Sequence, residues 1–183
     1  MVLRTAFIGG NEMSANATVS GKIVVMGVSG CGKTAVGQAL AQALACPFYD
    51  GDDFHPATNV RKMAQGIPLT DADRRPWLDS LRHLLAEHTA RGETAVLACS
   101  ALKKSYRDHL RLGNEPILFV HLVGDFDLIW QRLQARSGHY MKAAMLQSQF
   151  AALEPPDPTE ALTVAITQPV AKIVQEILLK AGK

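Results

Sequence analysis

The apolar run Ile23-Val24-Val25-Met26 leads directly into Gly27-Val28-Ser29-Gly30-Cys31-Gly32-Lys33-Thr34, which is followed by Val36, Leu40 and Leu44 at four-residue spacing. A continuous, largely β-branched run suits a strand buried on both faces. The four-residue spacing predicts a helix with one apolar face. The eight residues between match G-x-x-x-x-G-K-[ST], in the strand-to-helix setting that a phosphate-binding loop requires. Glycines let backbone N–H groups close around phosphate oxygens, and the helix N-terminus adds partial positive charge. Lys33 is placed to reach the β- and γ-phosphates of a nucleotide, and the Thr34 hydroxyl to ligate Mg²⁺.

The rest of the chain repeats the alternation of strand and helix. Phe48-Tyr49 reads as a short strand ending at Asp50, Thr94–Cys99 as a third, Ile117–Val123 as a fourth and Leu162–Ile166 as a fifth. Between them lie helix-period segments. Pro76 is read as the first turn of one, with Trp77, Leu81, Leu84, Leu85 and His88 on its inner face. Leu102, Tyr106 and Leu110 mark the next, and Asp125 caps the one carrying Leu128, Ile129 and Leu133. Pro169 opens the last, with Val170, Ile173, Val174, Ile177 and Leu178 inward. The expected fold is a three-layer α/β/α domain over residues 22–183 with a five-stranded parallel sheet. Residues 1–21 carry no such period and are read as a flexible N-terminal extension. Glu154-Pro155-Pro156-Asp157-Pro158 reads as a stiff connector.

Composition narrows the function classes. A net charge of +2 across 183 residues gives no strong field for nucleic acid, and no apolar run is long enough for a membrane helix. Three cysteines, Cys31, Cys46 and Cys99, are an odd set without metal-ligand spacing, which fits a reducing cytoplasm. Neither N-K-x-D nor a strand ending in D-x-x-G is found, which argues against a switch GTPase. Asp50-Gly51-Asp52-Asp53-Phe54-His55-Pro56 follows the second strand, so its carboxylates emerge at the sheet's carboxyl edge beside the phosphate loop. A carboxylate there can accept the proton of an attacking hydroxyl, and another can hold metal-bound water.

These segments resemble the gluconokinases, a family of P-loop small-molecule kinases related to the shikimate kinases. The resemblance is carried by MGVSGCGKT at 26–34, DGDDFHP at 50–56, NVRKMAQGIPLTDADRRPWL at 59–78, CSALKKSYRDHLR at 99–111, LVGDFDLIWQRLQARSGHYM at 122–141 and Gln168-Pro169. It implies ATP-dependent phosphorylation of D-gluconate at its 6-hydroxyl, Mg²⁺ as cofactor, a mobile helical lid at about 132–150, and a homodimer. The alternatives are a kinase for another sugar acid or a shikimate-like acceptor, or a non-catalytic nucleotide-dependent binding module. The His55-Pro56 pair after D-G-D argues against shikimate.

On this resemblance Gly27 to Thr34 bind the nucleotide, with Arg132, Gln168 and Pro169 completing its site. Asp52 orients the 6-hydroxyl and Asp50 joins Thr34 at the metal, although these two roles are exchangeable on sequence alone. Arg61, Lys62, Arg74, Arg75, Lys103 and Arg107 are candidate cations for the gluconate carboxylate, with Arg61, Arg74 and Lys103 preferred; Asp52, His55, Ser100 and His139 are candidate partners for the rest of the sugar acid. His55 has a competing reading as a packing histidine. Lys33, with Arg132 and Arg136 from the lid, neutralises charge on the transferring phosphoryl group. Arg107 and Arg111 share a helix face with Lys103 and read as an ordinary solvated surface. Cys31 sits at a helix N-terminus, a place that lowers a thiol's pKa and would suit a redox switch, but it reads first as a tolerated small residue of the loop.

Overall fold

The computed structural model describes residues 21–135 and 143–182. Their strands are β1 (Lys22–Met26), β2 (Phe48–Asp50), β3 (Ala95–Ala98), β4 (Ile117–Val123) and β5 (Ala161–Ala165). The helices are α1 (Lys33–Ala43), α2 (Ala57–Ala64), α3 (Asp71–Ala90), α4 (Lys104–Arg111), α5 (Phe126–Gln134), α6 (Ala143–Ala152) and α7 (Val170–Ala181), and a 3-10 turn covers Gly51–Phe54. Every ladder is parallel, and the strand order is β2-β3-β1-β4-β5. The expected five-stranded parallel α/β architecture is therefore present.

The alternation along β1 explains the layers. Ile23 and Val25 pack with Val36, Leu40, Ile129 and Ile177 on one face, whereas Val24 and Met26 pack with Trp77, Leu81, Leu85 and Leu110 on the other. Both faces are apolar, so β1 is buried throughout. Its neighbours are β3 and β4, while the chain leaving β1 crosses over α1 to reach β2 beyond β3. The resulting crevice at the carboxyl ends of β1 and β3 is where open α/β sheets receive ligands.

Several local expectations are corrected. Helix α3 begins at Asp71, so Pro76 lies inside it rather than in its first turn. Thr70 and Asp73 form a reciprocal capping box, with Asp73 N–H donating to Thr70 Oγ1 at 3.2 Å and Thr70 N–H to the Asp73 carboxylate at 3.0 Å. The cap sets the helix start at Asp71, and Pro76, lacking an N–H, forfeits one backbone bond inside the helix. Helix α2, which the sequence did not reveal, is too short and too exposed to show an apolar period. Val170 is 37% exposed at the start of α7, and Ile173, Val174 and Ile177 make the inward face. Arg107 is fully buried instead of solvated. Residues 1–20 of the expected extension, and Arg136 and His139 of the expected lid, lie outside the described residues. Among the described residues no helix is long and apolar enough to cross a membrane.

Candidate active site

The loop after β1 depends on its glycines. Gly27 has φ 138°, and a Cβ there would lie 2.8 Å from the Leu122 carbonyl oxygen. Gly30 has φ 83°, and a Cβ there would meet Leu133 at 2.7 Å. Both positions therefore exclude a side chain. Lys33 is the first residue of α1, and its amine folds back to donate to the Val28 carbonyl at 3.1 Å. The cation is thereby held over the loop.

Across the crevice, Thr34 Oγ1 donates to Asp50 Oδ2 at 2.8 Å. The other Asp50 oxygen accepts from the Asp52 N–H at 3.1 Å and caps the 3-10 turn. This divides the two carboxylates: Asp50 is drawn to the phosphate loop, and Asp52 stands exposed one turn further out. A hydroxyl oxygen and a carboxylate are hard donors suited to Mg²⁺, which keeps waters and substrate phosphates as its remaining ligands. Among the described residues no cluster of three or more His, Cys, Asp or Glu could form an all-protein metal cage.

Trp77 and Asp71 tie α3 to the neighbouring loops. Trp77 Nε1 donates to the Gly51 carbonyl at 2.7 Å, tying α3 to the turn that carries Asp50 and Asp52. The His55 ring stacks on Trp77 with centroids 4.4 Å apart, and its Nδ1 lies 3.5 Å from Asn59 Nδ2. One face of His55 thus packs, as the competing reading has it, while Nε2 has no hydrogen-bond partner among the described residues. Burial holds the imidazole below its ordinary pKa; the Asp52 charge opposes this and the Arg74 charge reinforces it. Asp52, His55 and Arg74 are therefore electrostatic neighbours. Asp71 accepts from Lys103 Nζ at 2.8 Å and from the Tyr106 hydroxyl, bonds that hold its carboxyl below the usual range.

Of the remaining cations, Arg61 is exposed on α2 and its side chain makes no hydrogen bond among the described residues. Ser100 follows β3, and its carbonyl accepts the Gly27 N–H at 3.3 Å, so the two loops touch. Arg132 on α5 donates to the Ile166 carbonyl at 2.7 Å, beside Gln168 and Pro169 at the β5–α7 loop. Cys31 is buried in the loop. Burial pushes its thiol up, and the charges of Lys33 and Arg132 only partly offset that.

The comparisons with known proteins bear on this arrangement. The shikimate kinase family model matches residues 29–178. The thermoresistant gluconokinase of Escherichia coli is 46% identical over 164 residues, covering 87% of this chain and 94% of that one. The gluconokinase of Gluconobacter oxydans is 47% identical over 158 residues, covering 86% and 89%. The chain belongs to the gluconokinase family, within the wider shikimate kinase family. The crystal structure of a gluconokinase from Sinorhizobium meliloti superposes with a TM-score of 0.81 at 46% identity, covering 89% of this chain and 92% of that one.

Three further residues enter the site of this family member without a sequence signal. Asp71 and Tyr106 organise Lys103, although they lie on different helices. Gln149 on α6 accepts the Ser29 N–H of the phosphate loop at 2.7 Å. The Asp71 carboxylate was legible only as a helix-start acid, and Gln149 only as one glutamine in a weakly patterned helix.

Proposed function

We propose that this chain transfers the γ-phosphoryl group of ATP to the 6-hydroxyl of D-gluconate, giving 6-phospho-D-gluconate and ADP. The observation that carries the reading is the Thr34–Asp50 hydrogen bond of 2.8 Å, which joins the phosphate loop to the turn bearing Asp52. Donor phosphates and acceptor hydroxyl then share one sheet edge.

The gluconate 6-oxygen attacks the γ-phosphorus, the bond from phosphorus to the β,γ-bridging oxygen breaks, and ADP leaves. Asp52 orients the hydroxyl and takes its proton. Lys33 offsets charge on the phosphoryl oxygens, and Arg132 does so from the lid side together with Arg136. Thr34 and Asp50 would hold Mg²⁺, which would offset negative charge on the nucleotide phosphates. The Gly27–Thr34 loop cradles the phosphates with the backbone N–H groups that Ser100 and Gln149 leave free, and Gln168 and Pro169 border the base.

For the acceptor, Lys103 and Arg74 face the gluconate carboxylate, with Arg61 at the rim. His55 Nε2, Ser100 and His139 bond its hydroxyls. The reading includes a homodimer in the cytoplasm, where the three free cysteines stay reduced.

A coupled assay of ADP release with Mg-ATP, run against gluconate, shikimate, other aldonates and neutral sugars, tests the substrate. Turnover is expected with gluconate, and phosphorus-to-carbon coupling in the product's NMR spectrum should place the phosphate on carbon 6. Equal turnover with shikimate, or none with gluconate, overturns the reading. Light scattering of the full chain tests the dimer.

A further inference from the structure

The β3–α4 loop carries Ser100 and Lys103, yet nothing in its own sequence holds it. Helix α4 has no side-chain cap from its N-cap residue, Lys103. Ala101 sits at φ 43°, a left-handed conformation that costs a non-glycine residue energy and persists only where the surroundings enforce it.

The enforcing contacts come from Arg107 on α4 itself and from Glu154 and Glu160, about fifty residues downstream. Glu154 Oε2 accepts the Lys104 N–H at 2.6 Å, supplying from outside the cap that α4 lacks. The Glu154 N–H donates to the Leu102 carbonyl at 2.9 Å. Arg107, 1% exposed, donates to the carbonyls of Ala101 (3.2 Å), Leu102 (3.2 Å) and Glu154 (3.0 Å), and its fork pairs with Glu160 at 2.8 and 3.1 Å. Glu154 opens the proline-rich connector, so that stiff segment lies clamped on the acceptor loop.

We propose that Glu154 is a positioning residue for gluconate: capping α4 from the connector, it fixes the loop on which Ser100 and Lys103 meet the acceptor. This rests on the assignment of that loop to the acceptor. Glu154 touches neither substrate. Its removal loosens the loop's placement and leaves the phosphate loop as it was.

The test compares Glu154→Ala, Glu154→Gln and Lys103→Met by steady-state kinetics, with gluconate and ATP varied separately, alongside thermal melts. Glu154→Ala should raise the gluconate KM about five- to tenfold and move the ATP KM less than about twofold. Glu154→Gln keeps an oxygen facing the Lys104 N–H and should restore the gluconate KM to within about twofold of the parent. If Lys103→Met raises the gluconate KM while Glu154→Ala leaves it unchanged, the positioning role is refuted and the loop assignment survives. If neither variant moves it, the loop assignment fails and the proposal with it. Equal rises in both KM values would show Glu154 acting through α6 and Gln149, which also overturns the proposal. Should Glu154→Ala not fold, Glu154→Asp, shorter by one methylene, is read by the same ratio of KM values.

Discussion

Trp77→Phe separates one hydrogen bond from the packing around it. Trp77 is 2% exposed, its Nε1 donates to the Gly51 carbonyl at 2.7 Å, and its ring carries His55 at 4.4 Å. Phenylalanine keeps a ring for His55 to stack on but cannot donate. A buried acceptor left without its donor costs about 1–3 kcal/mol. The smaller ring forfeits roughly 1 kcal/mol of apolar burial. The sum, about 3 kcal/mol, should lower the melting temperature by about 6–12 °C for a domain of this size. Gly51 lies between Asp50 and Asp52, so kcat/KM for gluconate should fall as well. Urea titration gives the stability change, and ADP release gives the kinetics. Trp130→Phe is the control: Trp130 is only partly buried and its indole N–H makes no hydrogen bond among the described residues, so the cost should stay below about 1 kcal/mol. A loss under about 1 kcal/mol for Trp77→Phe would refute the claim that the Gly51 bond holds the acceptor turn.

Asp52→Asn should reduce turnover by at least about a hundredfold while ATP binding, followed by calorimetry, stays nearly intact; full turnover would remove Asp52 from its assigned role. Gly30→Ala should abolish ATP binding, because φ 83° disfavours a side chain and the new Cβ would lie 2.7 Å from Leu133; nucleotide titration reads this directly. Glu160 gives a pH dependence of stability. Its hydrogen bond from Arg107 leads the causes that hold its carboxyl at about 2, against 4.5 for an unperturbed glutamate. A depressed folded-state pKa contributes stability that is full above about 4.5 and is lost as pH falls toward about 2. Urea midpoints measured from pH 6 to pH 2.5 should therefore decline through that window, and Glu160→Gln should flatten the decline while lowering stability at neutral pH.

The expectations that the structure corrected have a common cause. Arg107 has the same spacing from Lys103 as a solvated arginine would, and helical periodicity cannot distinguish the two. Its burial follows from Glu160, 53 residues away. Pro76 was misplaced because the proline signal was read without the Thr70–Asp73 cap, which was already present as T-x-x-D.

The phosphate loop, the five strands and the acidic turn at Asp50–His55 were determined by the sequence itself. Each is a contiguous signal: glycines where only glycine fits, apolar runs for strands buried on two faces, and a turn directly after a strand. The tertiary structure decided what faces what. Lys103 meets Asp71 across 32 residues, Arg107 meets Glu160 across 53, and Ser29 meets Gln149 across 120. A hydrogen bond reaches about 3 Å and is indifferent to distance along the chain, whereas propensity and periodicity report only on near neighbours. The phosphate loop and the acidic turn were thus legible before folding, and the partners of Ser29, Lys103 and Arg107 came into view only when the fold brought distant segments together.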